Sequence, residues 1–214
     1  MKNIQMNMEM TKALLDGRKT QTRRVAKVRD ISPFFVKDNT DKIIKKHSKY
    51  KKDETIWVRE PARVISHGYK NAELSFDFKY SADSRKGSMP IPERFIDTDF
   101  DNNCDGDKDK PTAEWIIKNQ GIPNGCIREM ARIFLNISNV RVERLHNISI
   151  EDILEEGFPI ERLTENCGIK ECMEKCMQWY KTLWNKTTKQ GYKWDDNPFV
   201  FVYEFQVSSY KTRL

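Results

Sequence analysis

The chain has 214 residues, of which 38% are hydrophobic, 33% charged and 11% aromatic. This length suits one domain with a substantial core, and the aromatic content is higher than that of a disordered chain. The longest apolar runs, such as Phe199 to Tyr203, are far shorter than the ~20 residues of a membrane-spanning helix. The first residues contain no apolar signal region. We therefore expect one domain over residues 1–214, located in the cytoplasm and without a membrane partner.

The formal net charge of +6 is distributed unevenly. Residues 1–52 contain 15 Lys and Arg against 5 Asp and Glu, which leaves the remainder of the chain acidic. A basic surface of this kind attracts phosphates and polyanions. A solvated lysine-rich surface is the alternative interpretation, and for the run from Lys42 to Lys52 alone we favour it.

The first predicted elements are a short helix over Met8 to Asp16, ended by Gly17, and a strand directly after it. Residues 26–54 are polar and lysine-rich and are predicted to be a long excursion. The alternation of a strand assigns its side chains to two faces. One face carries Thr20, Thr22 and Arg24, and the other carries Lys19, Gln21 and Arg23.

The middle of the chain is predicted to form strands over Glu54 to Glu60 and Leu74 to Tyr80. Residues 82–112 are rich in Pro, Gly and Asp and are predicted to be loop. Ala131 to Leu145 contains two β-rich stretches, which indicate a hairpin or one bent strand.

The last third of the chain is predicted to contain two helices and a strand. A short helix begins at Ser149, where Asp152 completes a capping box, and ends at Gly157. A long amphipathic helix follows over Gly168 to Lys186, and then a strand over Phe199 to Val207. Many strands with few helices and no βαβ alternation predict an α+β fold with a partly closed barrel. The polar insertions are at about residues 26–52 and 82–122.

The common catalytic signatures are absent from the sequence. It has no P-loop, no GxGxxG, no GxSxG and no HExxH. Three isolated histidines, His47, His67 and His146, do not make a metal site or a triad. Any chemistry must therefore come from Lys, Thr, Glu, Asp or Cys.

Two segments have incomplete metal-binding patterns. Asp101 to Asp107 matches the first half of an EF-hand loop, but position twelve is Thr112 instead of Glu, which favours an Asp-rich surface loop. Cys167, Cys172 and Cys176 have the spacing CxxxxCxxxC, which is not a zinc pattern, and the odd total of five cysteines indicates free thiols. We expect no metal and no other cofactor, and leave open whether either segment binds an ion.

The segment GRKTQTRR, from Gly17 to Arg24, concentrates four cations and two hydroxyls at the junction of the first helix and strand. Such a junction can present hydrogen-bond donors to a phosphate or to a carbonyl oxygen. A surface strand without function is the other interpretation.

The segment MTKALLDGRKTQTRRV resembles the opening of ASCH-domain proteins, whose hallmark is G-x-K-x-x-T-x-R after a short helix. Gly17, Lys19, Thr22 and Arg24 occupy that pattern in register. The resemblance continues in order through ETIWVRE, MARIFLNISNVRVERLHNIS, EDILEEGF and GYKWDDNPFVFVYEFQV. The chain is thus similar to ASCH proteins that are frequently encoded by phages and prophages, and the resemblance implies a PUA-like barrel in a bacterial host cytoplasm.

Some ASCH proteins are amidohydrolases acting on N4-acetylcytidine. The resemblance implies that Lys19, Thr22 and Glu156 are the corresponding catalytic residues. Lys19 would be a base, Thr22 a nucleophile and Glu156 a proton shuttle. Residues predicted to bind the nucleoside or nucleic acid are Arg18, Arg23, Arg24, Trp57, Arg59, Glu60 and Arg132.

Three functions therefore stay open. The first is hydrolysis of an amide on a modified nucleoside. The second is RNA or nucleotide binding without chemistry, and the third is RNA cleavage in the same cationic pocket. The lysine-rich insertion favours a polymer substrate, because a free nucleoside has no phosphates for those lysines to neutralise. The expected partners are RNA or a modified nucleoside or nucleotide, and the oligomeric state is left open.

Overall fold

The computed structural model describes residues 1–27, 33–71, 73–92, 125–163 and 168–210. Within these ranges it contains eight strands and four α-helices. The strands are β1 (Asn3–Gln5), β2 (Gln21–Val25), β3 (Thr55–Arg59), β4 (Ala62–Lys70), β5 (Glu73–Tyr80), β6 (Lys86–Pro90), β7 (Ile133–Arg144) and β8 (Phe199–Tyr210). The helices are α1 (Met8–Leu15), α2 (Pro33–His47), α3 (Ile150–Glu155) and α4 (Ile169–Thr187).

The described strands form two sheets. The five-stranded sheet has the order β1-β3-β7-β8-β2, and the three-stranded sheet has the order β4-β5-β6. In the larger sheet β1 is parallel to β3, whereas β2 is antiparallel to β8. The predicted α+β class is confirmed, and closure of the strands into a PUA-like barrel stays a prediction.

The chain divides into two compact units. Unit 1 comprises Met1–Lys2, Lys12–Ile56 and Phe134–Ser208, and unit 2 comprises Asn3–Thr11, Trp57–Ile133 and Ser209–Leu214. The assignment of one domain to the whole chain stays a prediction.

In unit 1, α3 and α4 cover one face of the β2–β8 pair. Val200 and Val202 of β8 belong to a buried cluster that also contains Ile153 of α3 and Tyr180 of α4. Val202 stands opposite Arg23 in the antiparallel register, and residues directly opposite in such a pair point to the same face. The covered face is therefore apolar where Val202 lies and carries Arg23 beside it.

In unit 2, the three-stranded sheet packs its aromatic face inward. Phe76, Phe78 and Tyr80 alternate along β5 and are each no more than 5% exposed. On β6, Gly87 lies so close to the ring of Phe78 that a Cβ would be 2.4 Å from its Cζ. On β4, by contrast, most residues are half-buried or exposed.

Several predicted elements are confirmed with small shifts of their ends, and others are wrong. The predicted excursion over residues 26–54 contains α2, a helix that kinks at Asn39. The predicted loop over residues 82–112 contains β6, and β4 was not predicted at all. For Ala131 to Leu145 the sequence left a hairpin or one bent strand open, and the structure has one strand there, β7. Residues 93–124, which include the Asp101 to Asp107 segment, lie outside the described residues.

No helix in the described part of the chain is both long and apolar enough to cross a membrane.

Candidate functional site

The backbone around Lys19 is held by the end of α1. Gly17 has φ +74°, the left-handed conformation that ends a helix. The amides of Arg18 and Lys19 then both donate to the carbonyl of Ala13, at 2.9 and 3.0 Å. The chain therefore reverses direction within one turn, and this directs Lys19 toward the end of α3.

Glu156 is positioned by the two ends of α3. Ser149 and Asp152 form the predicted capping box at its beginning. At its end Gly157 has φ +98°, and a Cβ there would lie 2.6 Å from the Cβ of Ala13. Glycine is therefore required at 157 both by its conformation and by its close approach to α1.

The side chains of Lys19 and Glu156 are in direct contact. In the sequence, only the resemblance to ASCH proteins had related these two residues. Their backbones form an isolated antiparallel bridge. The Nζ of Lys19 donates to Oε2 of Glu156 at 2.7 Å and to its carbonyl oxygen at 2.8 Å. Burial lowers the pKa of Lys19, the Glu156 carboxylate opposes this shift, and the charges of Arg24 and Arg23 add to it. The pair is thus a buried lysine of weakened basicity in direct contact with a carboxylate.

Arg23 connects this pair to a wider network of carboxylates. Its guanidinium contacts Glu156 Oε1 at 3.4 Å, Asp152 Oδ2 at 2.7 Å and Glu143 Oε1 at 2.9 Å. Burial works to lower the pKa of Arg23, but the charges of Glu156, Asp152 and Glu143 raise it. Its positive charge is therefore neutralised inside the protein instead of being presented to a phosphate.

Two further polar residues join the network, Gln21 from β2 and Arg141 from β7. Gln21 Nε2 donates to Asp152 Oδ1 at 2.8 Å and to Glu155 Oε2 at 2.7 Å. Arg141 of β7 pairs with Asp152 at 2.7 Å and also contacts Glu204. We call Lys19, Arg23, Glu156 and these partners the buried ion network.

Tyr180 of α4 lies next to the buried ion network. It is 2% exposed and packs in the cluster that contains Val202, the residue opposite Arg23. Burial raises the pKa of Tyr180 well above its ordinary value, and the negative charge of Glu156 acts in the same direction. Its hydroxyl therefore stays protonated at neutral pH.

Thr22 lies on the other face of β2. Its Oγ1 accepts a hydrogen bond from Arg24 Nη1 at 2.8 Å, and the same nitrogen donates to the carbonyl of Arg23 at 2.9 Å. Among the described contacts, none joins the Thr22 hydroxyl to Lys19 or Glu156. The predicted alternation of the strand is thus confirmed by the side-chain contacts, and it separates Thr22 from the other two residues implied to be catalytic.

Arg18 acts on the backbone of the site. Its Nη1 donates to the carbonyl of Gly157 at 2.8 Å, and its Nη2 pairs with Asp16 at 2.8 Å. Both contacts fix the turn that follows Glu156 relative to the turn that precedes Lys19.

The remaining predicted site residues lie in unit 2. Arg132 forms a two-point ion pair with Glu60, with Nε–Oε1 at 2.9 Å and Nη2–Oε2 at 2.8 Å, and pairs with Asp83 at 2.7 Å. Its guanidinium also lies 3.9 Å from the ring centroid of Tyr80. Burial raises the pKa of Glu60, although its hydrogen bond with Arg132 opposes that shift. In this cluster two carboxylates neutralise the charge of Arg132, and the contacts of Arg132 hold the end of β5 against the segment before β7.

Trp57 and Arg59 both belong to β3. Trp57 is 6% exposed and is part of the core, whereas Arg59 is half-buried. Both residues lie just before Glu60 in the chain, but neither is joined to Arg132 by a described contact.

The cysteines in the described residues are not joined in disulfides: Cys126, Cys172 and Cys176. The described residues contain no group of three or more His, Cys, Asp or Glu side chains arranged to hold a metal ion. Cys104 and Cys167 lie outside the described residues.

Sequence reasoning missed several partners in these two clusters. Arg141 and Glu143 alternate in the segment VRVER, a signal that both side chains lie on one face of a strand. Asp152 was recognised only as a helix cap. Asp83 lies in a stretch predicted to be loop, and nothing in the sequence indicates its pairing with Arg132.

Comparison with protein-family models, with curated proteins and with solved structures finds no match to this chain. The relation to ASCH proteins therefore rests on the sequence resemblance, and its functional consequences are proposals.

Proposed function

We propose that this chain is an ASCH protein with a PUA-like fold that hydrolyses the amide of an N4-acylated, cytidine-type nucleoside. The observation that carries the proposal is the contact of Lys19 Nζ with Glu156 Oε2 at 2.7 Å. The resemblance implied that these two residues act together, although 137 positions separate them in the chain. A direct contact between them supports that implication.

The chemistry assigned to the pair is proton transfer. An oxygen nucleophile adds to the amide carbonyl carbon, and its proton passes to the Glu156 carboxylate. The carbon–nitrogen bond then breaks as Glu156 returns that proton to the leaving amine. The ammonium of Lys19 lies beside the carboxylate and stabilises the negative charge that develops on the carbonyl oxygen.

Burial supports this role for Lys19 and Glu156. Their side chains are 0% and 3% exposed. Charges interact more strongly where water is excluded, and fixed partners need no reorganisation during the reaction. Arg23 holds the second oxygen of Glu156, so that the carboxylate has one orientation.

A second candidate function is RNA or nucleotide binding without hydrolysis. The specific observation that favours it is that each member of the Lys19, Arg23 and Glu156 group already has a partner within the protein. In that case the buried ion network would be structural, and binding would depend on cations elsewhere. No described contact favours RNA cleavage, which stays a prediction.

The experiment is turnover of N4-acetylcytidine to cytidine by the purified full chain. Wild type is compared with Lys19→Met, Glu156→Gln and the control Glu161→Gln, which removes an exposed carboxylate outside the network. We expect turnover in wild type and in Glu161→Gln, and a loss of about 10²–10⁴-fold in kcat for Glu156→Gln. Absence of turnover in wild type, together with RNA binding that weakens as salt rises, would instead establish the binding function.

A further inference from the structure

A second group of charged residues lies on the face of β2 that carries Thr22 and Arg24. It consists of Lys2, Arg24 and Lys49 together with Tyr50, whose ring Lys49 contacts, and we call it the Tyr50 cation cluster. Its members come from the N-terminus, from β2 and from the segment after α2. All of them belong to unit 1.

The aromatic rings place the cluster on this face. Tyr203 stands opposite Thr22 in the register of β2 and β8, so both side chains point to the same side of the sheet. The ring of Tyr50 packs edge-on against Tyr203, with 5.0 Å between centroids. The Nζ of Lys49 in turn lies 5.1 Å from the centroid of Tyr50.

Hydrogen bonds orient the cations of the cluster. The Nζ of Lys2 donates to the carbonyl of Lys49 at 2.7 Å and pairs with Glu54 at 3.0 Å. The guanidinium of Arg24 is fixed by the two bonds that its Nη1 donates to Thr22 Oγ1 and to the Arg23 carbonyl. These cations are therefore held in place by neutral acceptors as well as by a carboxylate.

The electrostatic consequence is mutual repulsion. Burial lowers the pKa of Lys49, and the positive charges of Arg24 and Lys2 lower it further. Burial raises the pKa of Tyr50 to about 12, while the same two cations act to lower it. The repulsion between like charges that a fold holds close together is reduced when an anion binds between them.

We propose that the Tyr50 cation cluster binds a phosphate group of a nucleotide or of an RNA backbone. The oriented guanidinium of Arg24 and the ammonium groups of Lys2 and Lys49 supply several charged donors for the oxygens of a phosphate. The cluster lies on the opposite face of β2 from Lys19 and Glu156. This inference goes beyond amide hydrolysis and does not rest on it, because it concerns a different face and different residues.

The test is isothermal titration calorimetry of the full chain with inorganic phosphate, cytidine 5′-monophosphate, cytidine and a short single-stranded oligoribonucleotide. We expect the phosphate-bearing ligands to bind more tightly than cytidine. Lys49→Met and Arg24→Gln should each weaken that binding roughly tenfold, as expected when a charged hydrogen bond is lost. Lys49 is an exposed side chain, so Lys49→Met tests the site without removing core contacts.

The matched control is Lys42→Met, which removes the same charge from an exposed position on α2 and should leave affinity within about twofold.

A tighter oligoribonucleotide complex whose affinity falls steeply with salt identifies an RNA backbone as the source of the phosphate. Equal affinities for the mononucleotide and the oligomer identify a free nucleotide. The proposal is overturned if wild type does not prefer phosphate-bearing ligands, or if Lys42→Met weakens binding as much as Lys49→Met does. Turnover of N4-acetylcytidine does not enter any of these outcomes.

Discussion

Lys19 and Thr22 are three positions apart, yet their side chains lie on opposite faces of the same extended segment. Lys19 contacts Glu156 at the end of α3, whereas Thr22 contacts Arg24. The alternation of an extended chain produces this separation. The resemblance to ASCH proteins assigns all three of Lys19, Thr22 and Glu156 to one reaction, but the described contacts join only Lys19 and Glu156.

The identity of the attacking oxygen can be tested at Thr22. We expect Thr22→Val, which keeps the shape and removes the hydroxyl, to retain turnover of N4-acetylcytidine within about tenfold of wild type, since water can be the nucleophile beside Glu156. The measurement is kcat with a matched Thr20→Val control at an exposed neighbouring position. A loss of more than about 10³-fold in Thr22→Val alone would assign the nucleophile to Thr22.

The buried pair of Lys19 and Glu156 should also determine stability. Lys19→Met leaves the buried Glu156 carboxylate with only its longer contact to Arg23, and Glu156→Gln leaves the Lys19 ammonium buried without a carboxylate. Each variant should therefore lower the free energy of unfolding by about 3–5 kcal/mol. The double variant should be less destabilised than the sum of the two, and urea denaturation measures the difference. Lys12→Met, at an exposed position of α1, is the control and should change stability by less than about 0.5 kcal/mol. Additive effects in the double variant would contradict a direct interaction.

The elements that the sequence predicts well are those with strong local signals. Gly17 and Gly157 end α1 and α3 in left-handed conformations, and Ser149 caps α3, as predicted. By contrast, β4 is largely exposed and lacks a buried alternating pattern, and β6 contains Gly87 and Pro90, which are uncommon in strands.

The partners in the two clusters could not be predicted for a different reason. The contact of Arg23 with Glu143 depends on the strand order that places β7 near β2, a long-range property that local periodicity does not encode. The contact of Arg132 with Asp83 joins two segments 49 positions apart. Only the resemblance to ASCH proteins related Lys19 to Glu156. It did not predict that carboxylates surround Arg23.

Arg132 provides a test of the unit 2 cluster. Arg132→Lys keeps the positive charge but loses the two-point geometry with Glu60 and the additional contact with Asp83. We expect the free energy of unfolding to fall by about 2–3 kcal/mol, because charged acceptors are left with fewer hydrogen bonds. Arg128→Lys, at an exposed position nearby in the chain, should be nearly neutral in the same denaturation experiment. Equal stability of both variants would show that charge alone suffices at position 132.

Asp77 on the three-stranded sheet should contribute to the pH dependence of stability. Hydrogen bonds from Lys70, Ser66 and Ser88 hold its pKa well below the ordinary value of an aspartate. A carboxyl whose pKa is lower in the folded state stabilises the protein fully above its unfolded pKa of about 3.9. That stabilisation is lost as pH falls toward the folded pKa.

Asp77→Asn should therefore lower the melting temperature at pH 6 and make it less sensitive to acid between pH 5 and pH 2. Asp41→Asn, at an exposed position of α2, should follow wild type over the whole range. The assignment fails if the acid sensitivity of Asp77→Asn equals that of wild type.

Gly157 couples the position of Glu156 to α1, and its replacement should affect both stability and the site. In Gly157→Ala the new Cβ would lie 2.6 Å from the Cβ of Ala13 and 3.3 Å from that of Lys19, at a φ of +98°. We expect a loss of about 2 kcal/mol or more in the free energy of unfolding, because the strained backbone and the overlap with α1 act together. The control is Gly168→Ala at the beginning of α4, where no atom lies within 4 Å of the new Cβ and φ is −63°. Urea denaturation of both variants, with turnover of N4-acetylcytidine measured below the transition, separates the effects. A stable Gly157→Ala protein would show that α1 and the turn after α3 are not held together as closely as these distances indicate.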